Sequence, residues 1–149
     1  MKNTLQCYTP SALLKTKERD KVEVLTPTGI MQLDFDYKST KDFDIEELKK
    51  AVFNLPFIGF CGLSCTGNGF YALAAISESN RLSQYAEQCF YVFKEIYNIE
   101  IDTSKGKKFE NLRYVSYDAK MLIRENPEPL KINTFFKETE APEERSQKR

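Results

Sequence analysis

The residues Gly29, Ile30, Met31, Gln32, Leu33, Asp34, Phe35 and Asp36 constrain the fold more than any other stretch of this chain. They alternate with the period of a half-buried strand: Met31, Leu33 and Phe35 share one face, while Ile30, Gln32, Asp34 and Asp36 share the other. The two acids therefore point the same way. Like charges side by side on a strand repel, and a sheet built only for stability seldom places them so. A divalent cation would remove the repulsion and turn the pair into a hard oxygen-donor site. The alternative is a strand end with two solvated carboxylates.

The surrounding pattern supplies the layers. Residues 21–25 alternate, and Thr26, Pro27, Thr28 and Gly29 break them with turn chemistry, so a short strand leads into the acidic one. After a polar loop at residues 37–41, Asp42 or Asp44 can cap a helix, and Asp44 with Glu47 forms a capping-box-like start. Leu48, Ala51, Val52 and Leu55 line its face, and Pro56 stops it. Residues 57–63 are a nearly continuous apolar run, hence a central strand. Ser64, Cys65, Thr66, Gly67, Asn68 and Gly69 make a sharp turn into a second apolar strand at residues 70–76. Its small alanines suggest a closely packed helix. That helix spans residues 81–97, where Leu82, Tyr85, Ala86, Cys89, Phe90, Phe93, Ile96 and Tyr97 keep helical spacing and residues 77–80 offer caps. Short strands at residues 99–102 and 111–118 follow, separated by a basic loop.

The order β-β-α-β-β-α-β-β describes an α+β chain with two helices on one face of a mainly antiparallel sheet, leaving the other face for function. Three divisions are expected: residues 1–20 as a loosely ordered arm, residues 21–127 as the domain, and residues 128–149 as a charged, disordered tail.

A length of 149 residues suits one domain with a real core, and zero formal net charge gives no global basic footprint for nucleic acid. A local basic groove is still compatible with that balance. The four cysteines (Cys7, Cys61, Cys65 and Cys89) lack a disulfide-scaffold spacing, and no histidine exists to complete a mixed zinc site. They read as reduced, buried thiols. No apolar run approaches the roughly 20 residues of a membrane span, and the start lacks a signal-peptide core. A cytoplasmic protein without a membrane partner is expected.

One constellation carries chemistry. If Ile99 and Ile101 face the helices, Glu100 and Asp102 join Asp34 and Asp36 on the open side. Three carboxylates, Asp34, Asp36 and Asp102, form a set able to hold two divalent metals for nucleotidyl transfer. The turn with Ser64, Gly67, Asn68 and Gly69 offers backbone N–H groups and hydroxyls that cradle phosphate. Lys105, Lys107, Lys108 and Arg113 can neutralise a triphosphate or a template backbone. Tyr114 or Phe70 can stack bases. Each has a plainer reading: Asp102 caps a turn, residues 64–69 are a hairpin connection, and the lysines are a solvated loop.

The ordered motifs carry a resemblance. Residues 29–36 ending in Asp34 and Asp36, residues 64–69, Ile101 with Asp102, and Leu112, Arg113, Ser116 and Asp118 fall in the order seen in the VirE N-terminal domain family of Bacteroidetes mobile elements. That family is similar to the archaeo-eukaryotic primase and primase-polymerase superfamily. The resemblance covers residues 21–127 and implies an RRM-like core that binds Mg²⁺ or Mn²⁺ through Asp34, Asp36 and Asp102. It implies nucleotide contacts at Ser64, Gly67, Asn68, Gly69 and Arg113. A nucleoside triphosphate, a single-stranded or template-primer nucleic acid and a helicase are the partners it implies, in replication of a mobile element. A catalytically inactive nucleic-acid-binding or accessory module is the alternative on the same fold. The chain departs from the superfamily near Phe70, where active primases carry a histidine, and at Tyr71, where VirE-like relatives often carry a lysine.

Overall fold

The computed structural model describes residues 5–15, 22–36 and 41–132. Most of the charged run at residues 15–21, most of the polar loop at 37–41 and residues 133–149 of the C-terminal tail lie outside the described residues. The elements are β1 (Cys7–Tyr8), β2 (Ala12–Leu14), β3 (Val24–Pro27), β4 (Ile30–Phe35), α1 (Ile45–Phe53), β5 (Ile58–Leu63), β6 (Phe70–Ala75), α2 (Leu82–Tyr97), β7 (Arg113–Tyr114) and β8 (Leu122–Ile123).

The main sheet has the order β4-β6-β5-β8, with every neighbouring pair antiparallel. The succession β4-α1-β5-β6-α2 is a split β-α-β arrangement with β6 inserted between β4 and β5. Residues 99–102 run beside β4, where an RRM-like sheet has its last strand. They make a single backbone bond there, Asp102 N–H to the Asp34 carbonyl at 2.9 Å, and so do not form the expected strand. The strand expected at residues 111–118 is also misplaced. Only Arg113 and Tyr114 pair, and their partner is β1. The edge of the main sheet is instead closed by β8, which pairs with β5 at Phe60–Ile123 and Cys61–Leu122.

Both helices pack on one face, where Met31, Leu33 and Phe35 of β4 are fully buried against Leu48 and Val52 of α1 and Tyr85, Cys89 and Phe93 of α2. Phe35 stacks on Phe70 at 4.5 Å and meets Phe93 edge-on. Ala72 and Ala74 are buried in this core, as the spacing of a close helix requires. The capping of α1 is as expected: Asp44 Oδ1 accepts from the Glu47 N–H at 3.0 Å. Its buried face differs, because Ala51 is exposed and Lys49 is buried with Leu48 and Val52. On α2, none of residues 77–80 caps the first turn. A 3₁₀ turn, Ser79–Arg81, leads in instead, and the last turn leaves Ile96 and Tyr97 exposed.

The second sheet face is not open. Gln32 is fully buried and Asp34 is 7% exposed, so β4 is covered on both sides. The cover is the 111–118 segment, held down by side chains: Gln32 Nε2 donates to the Asn111 carbonyl and Arg113 Nε donates to Gln32 Oε1. A second layer comes from the segment in which the sequence shows no periodicity. β1 pairs with the distant β7, and β2 pairs with its neighbour in the chain, β3.

Candidate functional site

The acidic end of β4 is approached from two sides by backbone that only glycine allows. A Cβ on Gly69 would lie 2.3 Å from the Phe35 carbonyl oxygen, and one on Gly106 would lie 2.5 Å from that of Gln32. Gly106 also has φ +97°, in the region that favours glycine. These two contacts bring the hairpin turn and the basic loop against the same strand, at Phe35 and at Gln32. A cleft of about 370 Å³ opens there. Its wall includes Asp34, Asp36, Asp102, Ser64, Asn68, Gly69, Lys105, Arg113 and Tyr114.

The residues singled out from sequence are therefore largely brought together, with five exceptions. Gly67 is not on the wall; at φ 73° it serves the turn, and its N–H is used by the Ser64 carbonyl at 2.9 Å. Lys107 and Lys108 are also off the wall, and Lys107 pairs with Glu87 of α2 at 2.6 Å. Phe70 lies wholly in the helix-side core and cannot stack a base. Glu100 is turned away as well, exposed and 3.7 Å from Lys94. Cys65 is exposed and lines the cleft, unlike the buried Cys61 and Cys89. Burial pushes the Cys61 thiol up to about 12 and raises that of Cys89 further. Both therefore act as small apolar side chains.

Asp34 and Asp102 already have partners. Asp34 Oδ1 accepts from Arg113 Nη1 at 3.1 Å, and Asp34 Oδ2 lies 3.5 Å from Lys105 Nζ. Asp102 Oδ1 accepts from the Ser104 N–H at 3.0 Å and the Ser104 hydroxyl at 2.6 Å, so it caps a turn. Among the described residues no group of three or more Cys, Asp or Glu side chains is placed to hold a metal ion. Divalent metals need several free oxygen donors. Here Asp34 has a cation at each oxygen.

Arg113 is the most informative side chain on the wall. It is 5% exposed and spans the covered face. Nε is engaged by Gln32, Nη1 by Asp34, and the guanidinium carbon lies 4.3 Å from the centre of the Tyr71 ring. Its remaining nitrogen, Nη2, is buried and has no hydrogen-bond partner. Arg113 is a candidate from sequence, but Gln32 and Asp34, which hold it, lie 81 and 79 residues away in the chain, so no local pattern reports the contact.

Lys49 and Asp118 form a further buried pair that the sequence pattern does not single out as part of the site. Asp118 Oδ2 accepts from Lys49 Nζ at 2.7 Å and from the Leu63 N–H at 3.0 Å, next to the glycine-rich turn. Burial alone would raise the Asp118 carboxyl, but the bonds from Lys49, Lys120 and Leu63 outweigh it and hold the carboxyl below its ordinary range. Burial alone would lower Lys49, but the bonds to Asp118 and Glu46 hold its ammonium above its ordinary range. The one hint available in sequence was Asp118 itself, the last residue of the ordered motifs.

No helix among the described residues is long and apolar enough to cross a membrane. Residues 1–122 match the BT4734-like, N-terminal domain family, and the chain belongs to that family. The matched range takes in β1 and β2 and ends at the first residue of β8. No curated protein and no solved structure matches the chain.

Proposed function

We propose that this member of the BT4734-like N-terminal domain family uses the cleft to bind phosphate groups of a nucleotide or of single-stranded nucleic acid. The observation that carries the reading is the unpartnered Nη2 of Arg113, on a buried guanidinium in the cleft wall. A buried donor left without a partner costs about 1–3 kcal/mol, which a ligand acceptor recovers once a shift of the wall opens Nη2 to the cleft. A planar guanidinium fork matches phosphate oxygens. Lys105 adds a second cation, while the hydroxyls of Ser64 and Thr66 and the Asn68 amide add neutral donors on the same wall. Tyr114 offers a half-exposed ring for a base. The likeness of the ordered motifs to VirE N-terminal and primase-polymerase domains supports a nucleotide as the phosphate carrier. With zero formal net charge, the attraction is confined to the cleft.

Fluorescence anisotropy with a labelled oligothymidylate, competed with inorganic triphosphate, tests the reading. Binding is expected to weaken with salt, to be displaced by triphosphate, and to fall in Arg113→Lys, which keeps the charge and loses the fork. Binding indifferent to both Arg113→Lys and Lys105→Ala overturns the reading.

One observation favours a second reading, nucleotidyl transfer with Mg²⁺ or Mn²⁺: Asp34, Asp36 and Asp102 all line the same cleft. It requires Asp34 to be released from Arg113 and Lys105. Template-dependent incorporation of labelled nucleotide that is lost in Asp36→Ala would establish it, and incorporation unchanged by that substitution would remove it.

A further inference from the structure

The β5 edge shows how the glycine-rich turn is held in place. β8 pairs with β5 only at Phe60 and Cys61, so the backbone ladder ends before the cleft. On its inner side Leu63 sits opposite Phe70, and the next residue pair, Ser64 with Gly69, closes the hairpin at 2.9 Å. The outward N–H and C=O of Leu63 are met by side chains. Asp118 Oδ2 accepts from the Leu63 N–H at 3.0 Å, and the Ser116 hydroxyl donates to the Leu63 carbonyl at 2.8 Å. Two side chains thus do at Leu63 what a strand backbone does at Phe60 and Cys61.

The clamp rests on a buried charge. Lys49 has a fully buried side chain and donates to Asp118 Oδ2 at 2.7 Å, while Glu46 lies on its other side at 2.9 Å. Asp118 Oδ1 accepts from the Lys120 N–H at 2.8 Å. Asp118 thus receives three donors on two oxygens, which suits a carboxylate. An asparagine has one carbonyl oxygen and would turn its NH₂ toward Lys49 or toward an N–H.

We propose that Asp118, with Lys49 behind it and Ser116 beside it, is a positioning residue. It fixes the turn bearing Ser64, Asn68 and Gly69 against the segment bearing Arg113, so that both walls of the cleft hold one spacing. Its effect on ligand affinity rests on the phosphate-binding reading above; its effect on the turn does not.

The experiment compares wild type, Asp118→Asn, Ser116→Ala and the double variant Lys49→Met/Asp118→Leu. The double variant removes the clamp without leaving a buried unpaired charge and keeps the core filled. Two readouts are taken on folded protein: amide exchange at Leu63 and Ser64, and competition of labelled oligothymidylate by inorganic triphosphate. Exchange at Leu63 is expected to rise at least about tenfold in Asp118→Asn and in the double variant, as loss of a charge-assisted bond implies. The α2 amides are expected to stay protected. Triphosphate affinity is expected to fall about tenfold in the same two variants and less in Ser116→Ala. Unchanged Leu63 exchange in the folded double variant overturns the clamp. Raised exchange with undiminished triphosphate affinity overturns the positioning role. If wild type binds neither probe, the phosphate reading and the affinity role fall together, and the exchange result alone decides the clamp.

Discussion

Asp34 and Asp118 are two buried carboxylates, each 7% exposed and each facing a cation, yet they differ in what is left over. Around Asp118 the accounting closes: Lys49, Leu63 and Lys120 all donate, and none of them lacks a partner there. Around Asp34 it does not close. Arg113 and Lys105 both approach it, Lys105 with a side chain 42% exposed, and Arg113 Nη2 has no acceptor. A satisfied buried pair specifies geometry, whereas an incompletely satisfied one beside a cleft is poised for a ligand. The first site holds the second in place.

The largest effect is expected where a satisfied pair is broken on one side. Lys49→Met strands Asp118 and is expected to lower stability to urea by about 3–5 kcal/mol, as broken buried pairs do. A loss below about 1 kcal/mol would show that water reaches Asp118 and that the contrast with Asp34 is false.

Next is Gly69→Ala. The added methyl meets the Phe35 carbonyl at 2.3 Å, and both partners are backbone, so neither yields by rotating a side chain. An overpacking cost of about 1–3 kcal/mol is expected, with a widened cleft and weaker triphosphate binding. Wild-type stability and affinity in this variant would dissolve the close approach on which the cleft geometry depends.

The pH dependence separates the pair further. Asp118 is held below its ordinary carboxylate range. Its contribution is therefore fully present above about pH 4 and lost as the pH falls through its lowered value. Lys49 is raised above its ordinary range, so its contribution is present below about pH 10 and lost as the pH climbs through the raised value. Urea unfolding of Asp118→Asn is expected to show a shallower acid limb than wild type. Equal slopes below pH 4 would remove Asp118 from the account of acid stability.

The smallest effects separate the lysines. Lys105→Ala breaks a half-exposed pair and is expected to change stability by less than about 1 kcal/mol while weakening triphosphate binding. Lys107→Ala, off the cleft wall and paired with Glu87, is expected to change neither appreciably. Equal losses of affinity in the two variants would mean that the whole loop, not the cleft, carries the attraction.

What could be read from sequence follows from how local each signal is. The alternation of Met31, Leu33 and Phe35, the hairpin through residues 64–69, the spacing of Leu82, Tyr85, Ala86 and Cys89, and the Asp44–Glu47 cap all depend on near neighbours, and all stand in the structure. Residues 99–102 share the alternation, with Ile99 and Ile101 buried, but alternation reports which side is covered and not whether a ladder forms. β1 has no period of its own because its order comes from Arg113 and Tyr114, more than a hundred residues on. Lys49 is the clearest miss. On an amphipathic helix a lysine reads as exposed, and its buried partner lies 69 residues away. At the site, the co-location of the acids, the turn and Arg113 was legible from motif order. The pairing of Asp34 with Arg113 and Lys105 was not, because the same acids suit a metal or an internal cation equally well.

Nitrogen-edited NMR of the arginine guanidinium groups during titration with inorganic triphosphate reads whether Arg113 Nη2 takes up a phosphate oxygen. The Arg113 signals are expected to shift saturably while those of Arg124, held by the Phe53, Leu55 and Ile58 carbonyls, stay in place. Arg113 signals unmoved at high triphosphate, or Arg113 and Arg124 moving alike, would contradict that uptake.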